Sequence, residues 1–85
     1  MNMIFSNDSL KLFCAQQLGL SQCDITILAA EENWTMVIVI RDFKNKLNGD
    51  IPALDEIYDK VGEFGPYIIR FVLLTQKGGV RYDCL

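Results

Sequence analysis

The segment NWTMVIVIRDF, residues 33–43, most constrains the fold, because it predicts a β-strand with apolar side chains on both faces. Alternation along the strand divides the side chains into two sets: Trp34, Met36, Ile38 and Ile40 on one face, and Thr35, Val37, Val39, Arg41 and Phe43 on the other. A strand of this kind is typical of a sheet that is covered on both sides. The chain therefore has to cover two faces of one sheet or recruit a cover for the second.

Periodicity predicts two helices, each followed by strands. Helix 1 starts after Ser6, a suitable N-cap, and ends at Gly19. Helix 2 starts at residues 50–52, with Asp50 as the cap, and ends in the segment GEFGP at residues 62–66. The apolar residues at helical spacing are Leu10, Phe13, Cys14 and Leu18 in helix 1, and Leu54, Ile57, Tyr58 and Val61 in helix 2.

Four strands are predicted, at residues 25–30, 34–43, 67–75 and 80–84. The segments EEN at 31–33 and KGG at 77–79 are predicted as hairpin turns, and Asn48-Gly49 is a turn signal in the linker before helix 2. We expect residues 1–85 to form a single αβ domain, since two domains would not fit in this length.

The element order predicts an α+β fold, an αββαββ two-layer sandwich in which two helices lie on one face of a four-stranded mixed sheet. A circularly permuted ferredoxin-like fold is the alternative, with residues 80–84 in the middle of the sheet and 67–75 at an edge. Chain order is favoured, because parallel central strands are almost continuously apolar and edge strands are short and polar. The segments TMVIVI and YIIRFVLL suit the centre better than VRYDC does.

Composition argues against several classes of function. The net charge of −3 is unlike that of a nucleic-acid binder, which needs a basic surface, so no direct nucleic-acid binding is expected. The absence of histidine removes the commonest general base and zinc ligand, and the three cysteines form no C-x-x-C pair. We expect no catalytic residue, no metal and no cofactor. With no apolar run of about 18 residues and no basic leader, a cytoplasmic protein without membrane contact is expected.

The second sheet face is the first candidate binding surface. The bulkier set is assigned to the core: Trp34, Met36, Ile38 and Ile40, together with Tyr67, Ile69, Phe71 and Leu73. The opposite face then carries Val37, Val39, Ile68, Val72 and Leu74, with Arg41 and Arg70 between them. Left bare, this face would expose on the order of 500 Å² of apolar surface. Helix 1 could cross over to cover it; otherwise the cover is a second copy or another protein.

Three acids in helix 2 form the second candidate surface. Asp55, Asp59 and Glu63 recur at a spacing of four residues, which brings like charges together and does not stabilise the helix. This pattern predicts an acidic stripe that meets a basic surface or imitates a run of phosphates. An ordinary solvated helix face is the alternative interpretation.

These observations lead to two hypotheses. The first is a non-catalytic protein-binding module that acts by occlusion. It is a small acidic inhibitor of the antitoxin, immunity or anti-CRISPR type that docks on a basic protein surface, and a surface that handles nucleic acid is one candidate. The second is a structural homodimer that associates through Val37, Val39, Val72 and Leu74 on the open sheet face.

Overall fold

The computed structural model describes residues 7–47, 51–76 and 78–84, with side chains described up to residue 76. The elements are α1 (Asn7–Leu18), β1 (Ile25–Ala30), β2 (Thr35–Arg41), α2 (Ala53–Gly62), β3 (Ile68–Thr75) and β4 (Gly78–Cys84). Short 3₁₀ turns occupy Gln22–Asp24 and Glu31–Asn33. The predicted α+β class, with two helices and a mixed sheet, is confirmed. The predicted caps Ser6 and Asp50 and the Asn48-Gly49 turn lie outside the described residues.

The sheet contains both parallel and antiparallel pairs. β1 is antiparallel to β2, β2 is parallel to β3, and β3 is antiparallel to β4, so that the strands follow chain order. Helix α2 makes the crossover that parallel neighbours require. In the permuted ferredoxin-like alternative the last strand would separate these neighbours, whereas here β2 pairs directly with β3.

Helix α1 ends where the sequence predicts. Gly19 has φ +68°, a left-handed conformation that glycine adopts without a Cβ penalty. The N–H of Leu20 donates to the carbonyl of Ala15 at 3.0 Å, which closes the last turn and satisfies a helix-end acceptor. The chain then passes through the 3₁₀ turn at 22–24 into β1.

Both helices pack on the same face of the sheet. The buried apolar residues form one cluster: Leu10, Cys14, Ala15 and Leu18 from α1, Leu54, Ile57 and Val61 from α2, and Ile25, Ile27, Met36, Ile38, Ile40, Tyr67, Ile69, Phe71 and Leu73 from the strands and the residue before β3. Helix α1 therefore does not cross to the second face. Tyr58, predicted in the apolar stripe, is exposed, because one step of about 100° from Ile57 turns it out of the core.

The prediction that Trp34 belongs to the core is wrong. β2 begins at Thr35, and Trp34 has φ +53° at the end of the 3₁₀ turn, so the strand alternation does not extend to it. The side chain is 42% exposed and lies edge-on to Tyr67, with ring centroids 5.0 Å apart. Its carbonyl accepts from the N–H of Ile68 at 2.7 Å, which anchors the start of β3.

Two other strand boundaries also differ from the prediction. Phe43 follows the end of β2 and is exposed in a turn, rather than lying on the second sheet face. Gly78 and Gly79, predicted within the turn at 77–79, belong to β4 and pair with Thr75 and Leu74. In both cases hydrogen-bonded pairing with a neighbouring strand, rather than local residue preference, decides where the strand ends.

Candidate functional site

The second face of the sheet has no cover among the described residues. Val37, Val39, Val72 and Leu74 are half-buried there by their neighbours in the sheet. Ile68, at one end of the face, is 49% exposed, and Leu28 of β1 is 59% exposed. Sequence reasoning missed Leu28, although the alternation within ITILAA places it on this face. We call this surface the open sheet face.

The two arginines of the open sheet face differ in their surroundings. The Nη2 atom of Arg41 donates to Thr26 Oγ1 at 2.6 Å and to the Cys23 carbonyl at 3.2 Å, so the guanidinium is held against β1. Arg70 is exposed on β3 and is the register partner of Val37 on one side and Asp83 on the other. Arg41 is thus engaged within its own chain rather than presented at the middle of the face.

The three predicted acids lie along the outer surface of α2 and are all exposed. At about 100° per residue, they project from the side of the helix opposite the buried Leu54, Ile57 and Val61. Glu63 follows the last helical residue, and its Oε2 atom is 2.9 Å from Lys60 Nζ. Both of these side chains are exposed, so the pair contributes little to stability. We call Asp55, Asp59 and Glu63 the acidic stripe.

The net charge of the protein is concentrated in this one segment. Four of the eleven acidic residues and one of the eight basic residues lie between Ala53 and Glu63. Seven of each remain elsewhere, so this segment alone accounts for the net charge of −3. The acidic stripe is therefore the main source of negative potential on an otherwise balanced chain.

The structure does not bring the two candidate surfaces together. The acidic stripe points away from the sheet, and the open sheet face lies on the side of the sheet without helices. A flat partner surface can contact one of them, while the other stays in solvent. A partner that is attracted by the acidic stripe must find its apolar anchor beside α2.

A groove beside the C-terminal end of α2 provides such an anchor. Its lining residues are Tyr58, Gly62, Gly65, Pro66, Tyr67 and Ile69, around a cavity of about 380 Å³. Sequence reasoning did not identify it, because Gly65 and Pro66 had been assigned only to ending the helix. Tyrosine is enriched where proteins bind proteins.

Asp42 is the buried charged residue among those described, with 2% of its surface exposed. Its Oδ1 and Oδ2 atoms accept from the N–H groups of Lys46 and Leu47 at 2.8 and 2.9 Å. Its own N–H donates to the Leu74 carbonyl at 2.7 Å. Both carboxylate oxygens are therefore used in holding the loop after β2, a structural role that its position in the polar linker did not reveal.

Two observations describe the chemistry of the acidic and cysteine side chains. They contain no group of three cysteine, aspartate or glutamate side chains placed to hold a metal ion. Burial in the core raises the pKa of the Cys14 thiol to about 12, so this sulfur stays protonated and unreactive at neutral pH. Burial, followed by the charge of Glu31, also raises the pKa of Tyr67.

Cys14 makes stability sensitive to alkali. The folded state keeps the thiol proton up to about pH 12, whereas the unfolded chain loses it above about pH 9. The contribution of the protonated Cys14 thiol to the free energy of unfolding is therefore fully present below about pH 9 and is lost as the pH rises toward 12, at up to about 1.4 kcal/mol per pH unit. Urea unfolding at pH 8 and pH 10.5, under reducing conditions, should show a larger loss of stability in the native protein than in Cys14→Ala. An equal loss in both would contradict this role.

Comparison with known protein families, curated proteins and solved structures finds no match to this chain. In the part of the chain that the structure describes, neither helix is long and apolar enough to cross a membrane.

Proposed function

We propose that this chain is a non-catalytic protein-binding module that acts by occlusion. In this proposal it is a small acidic inhibitor, of the antitoxin, immunity or anti-CRISPR type, whose outer α2 surface docks on a basic protein surface. The proposal includes the architecture of one αββαββ two-layer sandwich. In it, α2 belongs to the helical layer, on the side of the sheet opposite the open sheet face. The observation that best supports the proposal is the concentration of the whole net charge in residues 53–63.

The acidic stripe would supply electrostatic steering rather than most of the affinity. Exposed charges accelerate encounter with an oppositely charged surface and set its orientation, and salt screens this effect. A basic surface that handles nucleic acid is a suitable target, because it already carries the lysines and arginines that phosphates require. Covering such a surface would exclude the nucleic acid without any chemistry by this chain.

The groove beside α2 would supply the anchor. Tyr58 stands between the acidic stripe and the groove, where it combines a large apolar ring with a polar end. Aromatic side chains of this kind carry a large share of the binding energy in protein interfaces. The stripe and the groove together form one continuous surface on the helical side, in contrast to the stripe and the open sheet face.

Charge reversal tests the acidic stripe. The variant Asp55→Lys, Asp59→Lys, Glu63→Lys should lose a basic partner that the native protein captures from its host lysate at low salt. The matched control is Asp8→Lys, Asp24→Lys, Glu32→Lys, which makes the same change in net charge at acids outside α2 and outside the lining of the groove. We expect the control to retain the partner, with affinity weakened less than about threefold, and the stripe variant to weaken it by at least about tenfold.

Binding should be measured at two salt concentrations, with circular dichroism to verify that both variants are folded. Native binding that weakens with salt, together with salt-independent residual binding by the stripe variant, is the expected pattern. Equal capture of the same proteins by both variants would show that the acidic stripe has no role in binding.

The structural homodimer remains the alternative function. It is favoured by the exposure of Leu28 and Ile68 on the open sheet face, which extends the apolar set Val37, Val39, Val72 and Leu74 to the edge strand β1 and to the start of β3. In that alternative the open faces of two copies would stack.

A further inference from the structure

The outer edge of β1 presents backbone groups to which no described residue is bonded. Among the described strands, β1 lies at one end of the sheet and pairs with β2 alone. In an antiparallel pair, alternate residues direct both N–H and C=O toward the neighbouring strand. The hydrogen bonds at both ends of β2 decide which residues of β1 face outward.

The residues of β2 with even numbers face β3. The N–H of Asp42 donates to Leu74, and the carbonyl of Trp34 accepts from Ile68. The odd-numbered residues of β2 therefore face β1, where their register partners are Thr26, Leu28 and Ala30. It follows that the backbone N–H and C=O groups of Ile25, Ile27 and Ala29 point away from β2, while the side chains of Ile25 and Ile27 lie in the core.

Ile25 uses its N–H within the chain, in a bond to the carbonyl of Gln22 that closes the preceding 3₁₀ turn. The N–H groups of Ile27 and Ala29 and the carbonyls of all three outward residues remain for another strand. Each is a strong hydrogen-bonding group that is costly to bury without a partner.

The side chains around this edge do not protect it. The strand ITILAA contains no charge and no proline, the residues with which proteins commonly guard an edge. β4, at the other edge, carries Arg81 and Asp83. Leu28, on the open sheet face of β1, is 59% exposed.

A second exposed leucine lies near the same edge on the helical side. α1 packs against β1, and Lys60 of α2 lies over the ring of Phe13, 5.6 Å from its centroid, which marks the side of α1 that faces α2. A step of about 100° places Leu12 on the flank away from α2. Leu12 is 43% exposed there, so the two layers each present a leucine beside the edge of β1.

We propose that the outer edge of β1 pairs with β1 of a second copy, antiparallel about a two-fold axis, to form one continuous sheet. Placing Ile27 opposite its own copy sets Ile25 opposite Ala29. In this register the N–H of Ile27 donates to the carbonyl of Ile27 in the copy. The N–H of Ala29 donates to the carbonyl of Ile25 in the copy. Each free N–H of the edge therefore finds an acceptor.

The chemistry of the edge fits a second copy better than a charged partner. Self-pairing of an uncharged strand places no like charges opposite each other, and Leu28 comes to lie beside Thr26 of the copy. The exposed flanks of the two α1 helices face each other through Leu12. The acidic stripes stay apart, because two α1 helices separate the α2 helices by about 30 Å, well beyond the screening length at physiological salt.

This inference uses residues outside the proposed docking surface, so the two proposals can fail separately. Light scattering over a dilution series should give a mass twice the 9.7 kDa of one chain. Ala29→Pro removes an outward donor without touching the bonds to β2 and should raise the dissociation constant at least about 30-fold. Leu28→Lys is a second edge variant that keeps every backbone donor, and it should also weaken the dimer.

Val72→Lys, in the middle of the open sheet face, is the matched control, because it would disrupt a dimer made by stacking two open faces. We expect it to leave the mass unchanged, because its long stem can lie along the sheet with the ammonium in solvent. A dimer lost in Val72→Lys but retained in Ala29→Pro, which leaves the open sheet face unchanged, would overturn edge pairing in favour of stacked faces. A native protein of monomer mass at every concentration would overturn dimerisation altogether.

Amide hydrogen exchange gives an independent readout. The amides of Ile27 and Ala29 should be protected at high protein concentration and exchange rapidly on dilution or in Leu28→Lys, while that of Leu28, bonded to β2, stays protected. Protection of Ile27 and Ala29 that does not depend on concentration would assign the edge to another segment of the same chain and would also overturn the proposal.

Discussion

Replacing Asp42 with alanine is expected to lower the free energy of unfolding by about 3–4 kcal/mol, because the N–H groups of Lys46 and Leu47 would lose a buried, charged acceptor. The loop after β2 leads into α2, so its loosening also weakens the connection between the parallel strands. Urea unfolding monitored by the fluorescence of Trp34 measures the change.

The free energy of unfolding of Asp42→Asn should lie between that of the native protein and that of Asp42→Ala. The amide keeps one carbonyl oxygen for a backbone N–H, but its NH₂ group then faces the other donor. Asp59→Ala, at an exposed carboxylate of α2, is the matched control, with a change within about 0.5 kcal/mol. Equal stability of Asp42→Ala and Asp59→Ala would show that Asp42 does not hold the loop.

Gly65→Ala is expected to lower the free energy of unfolding by about 3 kcal/mol. Gly65 has φ +153°, which L side chains rarely adopt, and a Cβ at this position would overlap the ring of Trp34 at Cζ3. The indole would have to move away from Tyr67, its edge-on neighbour. Thermal and urea unfolding of the variant measure the loss.

Gly62→Ala is the control three residues earlier. Gly62 is helical, has no positive φ, and a Cβ there meets nothing within 4 Å, so alanine should stabilise the helix by about 0.5–1 kcal/mol. Adding Trp34→Leu to Gly65→Ala should recover part of the loss, since the double variant removes the ring that the Cβ meets. The assigned clash would be refuted if Gly65→Ala and Gly62→Ala changed the free energy of unfolding in the same direction.

Trp34 shows where reasoning from strand alternation stops. The pattern of NWTMVIVIRDF places Trp34 with Met36, Ile38 and Ile40, and those three are indeed buried. Trp34 itself takes a left-handed conformation that the pattern does not encode, because the turn before β2 and the approach of Gly65 set its backbone and its ring. The groove beside α2 was missed for the same reason, since it is made by residues that meet only after the chain folds.

For the candidate surfaces too, the sequence identifies some features and others follow only from the folded structure. The sequence identifies the acidic stripe, because a spacing of four residues places Asp55 and Asp59 on one side of any helix. That the stripe points away from the open sheet face follows only from the packing of α2. The outer edge of β1 depends on strand order, which alternation within ITILAA does not specify.

The sequence alone determined the class of secondary structure, the approximate limits of most elements and the apolar residues of the core strands. These properties are local: they follow from the periods of the helix and the strand, from glycine at helix ends and from the charge of each residue. The tertiary structure alone decided which sheet face the helices leave uncovered in the described part of the chain, which edge of β1 lies away from β2, and that the carboxylate of Asp42 is buried. Each of these depends on contacts between segments distant in the chain, and a local pattern is compatible with more than one set of such contacts.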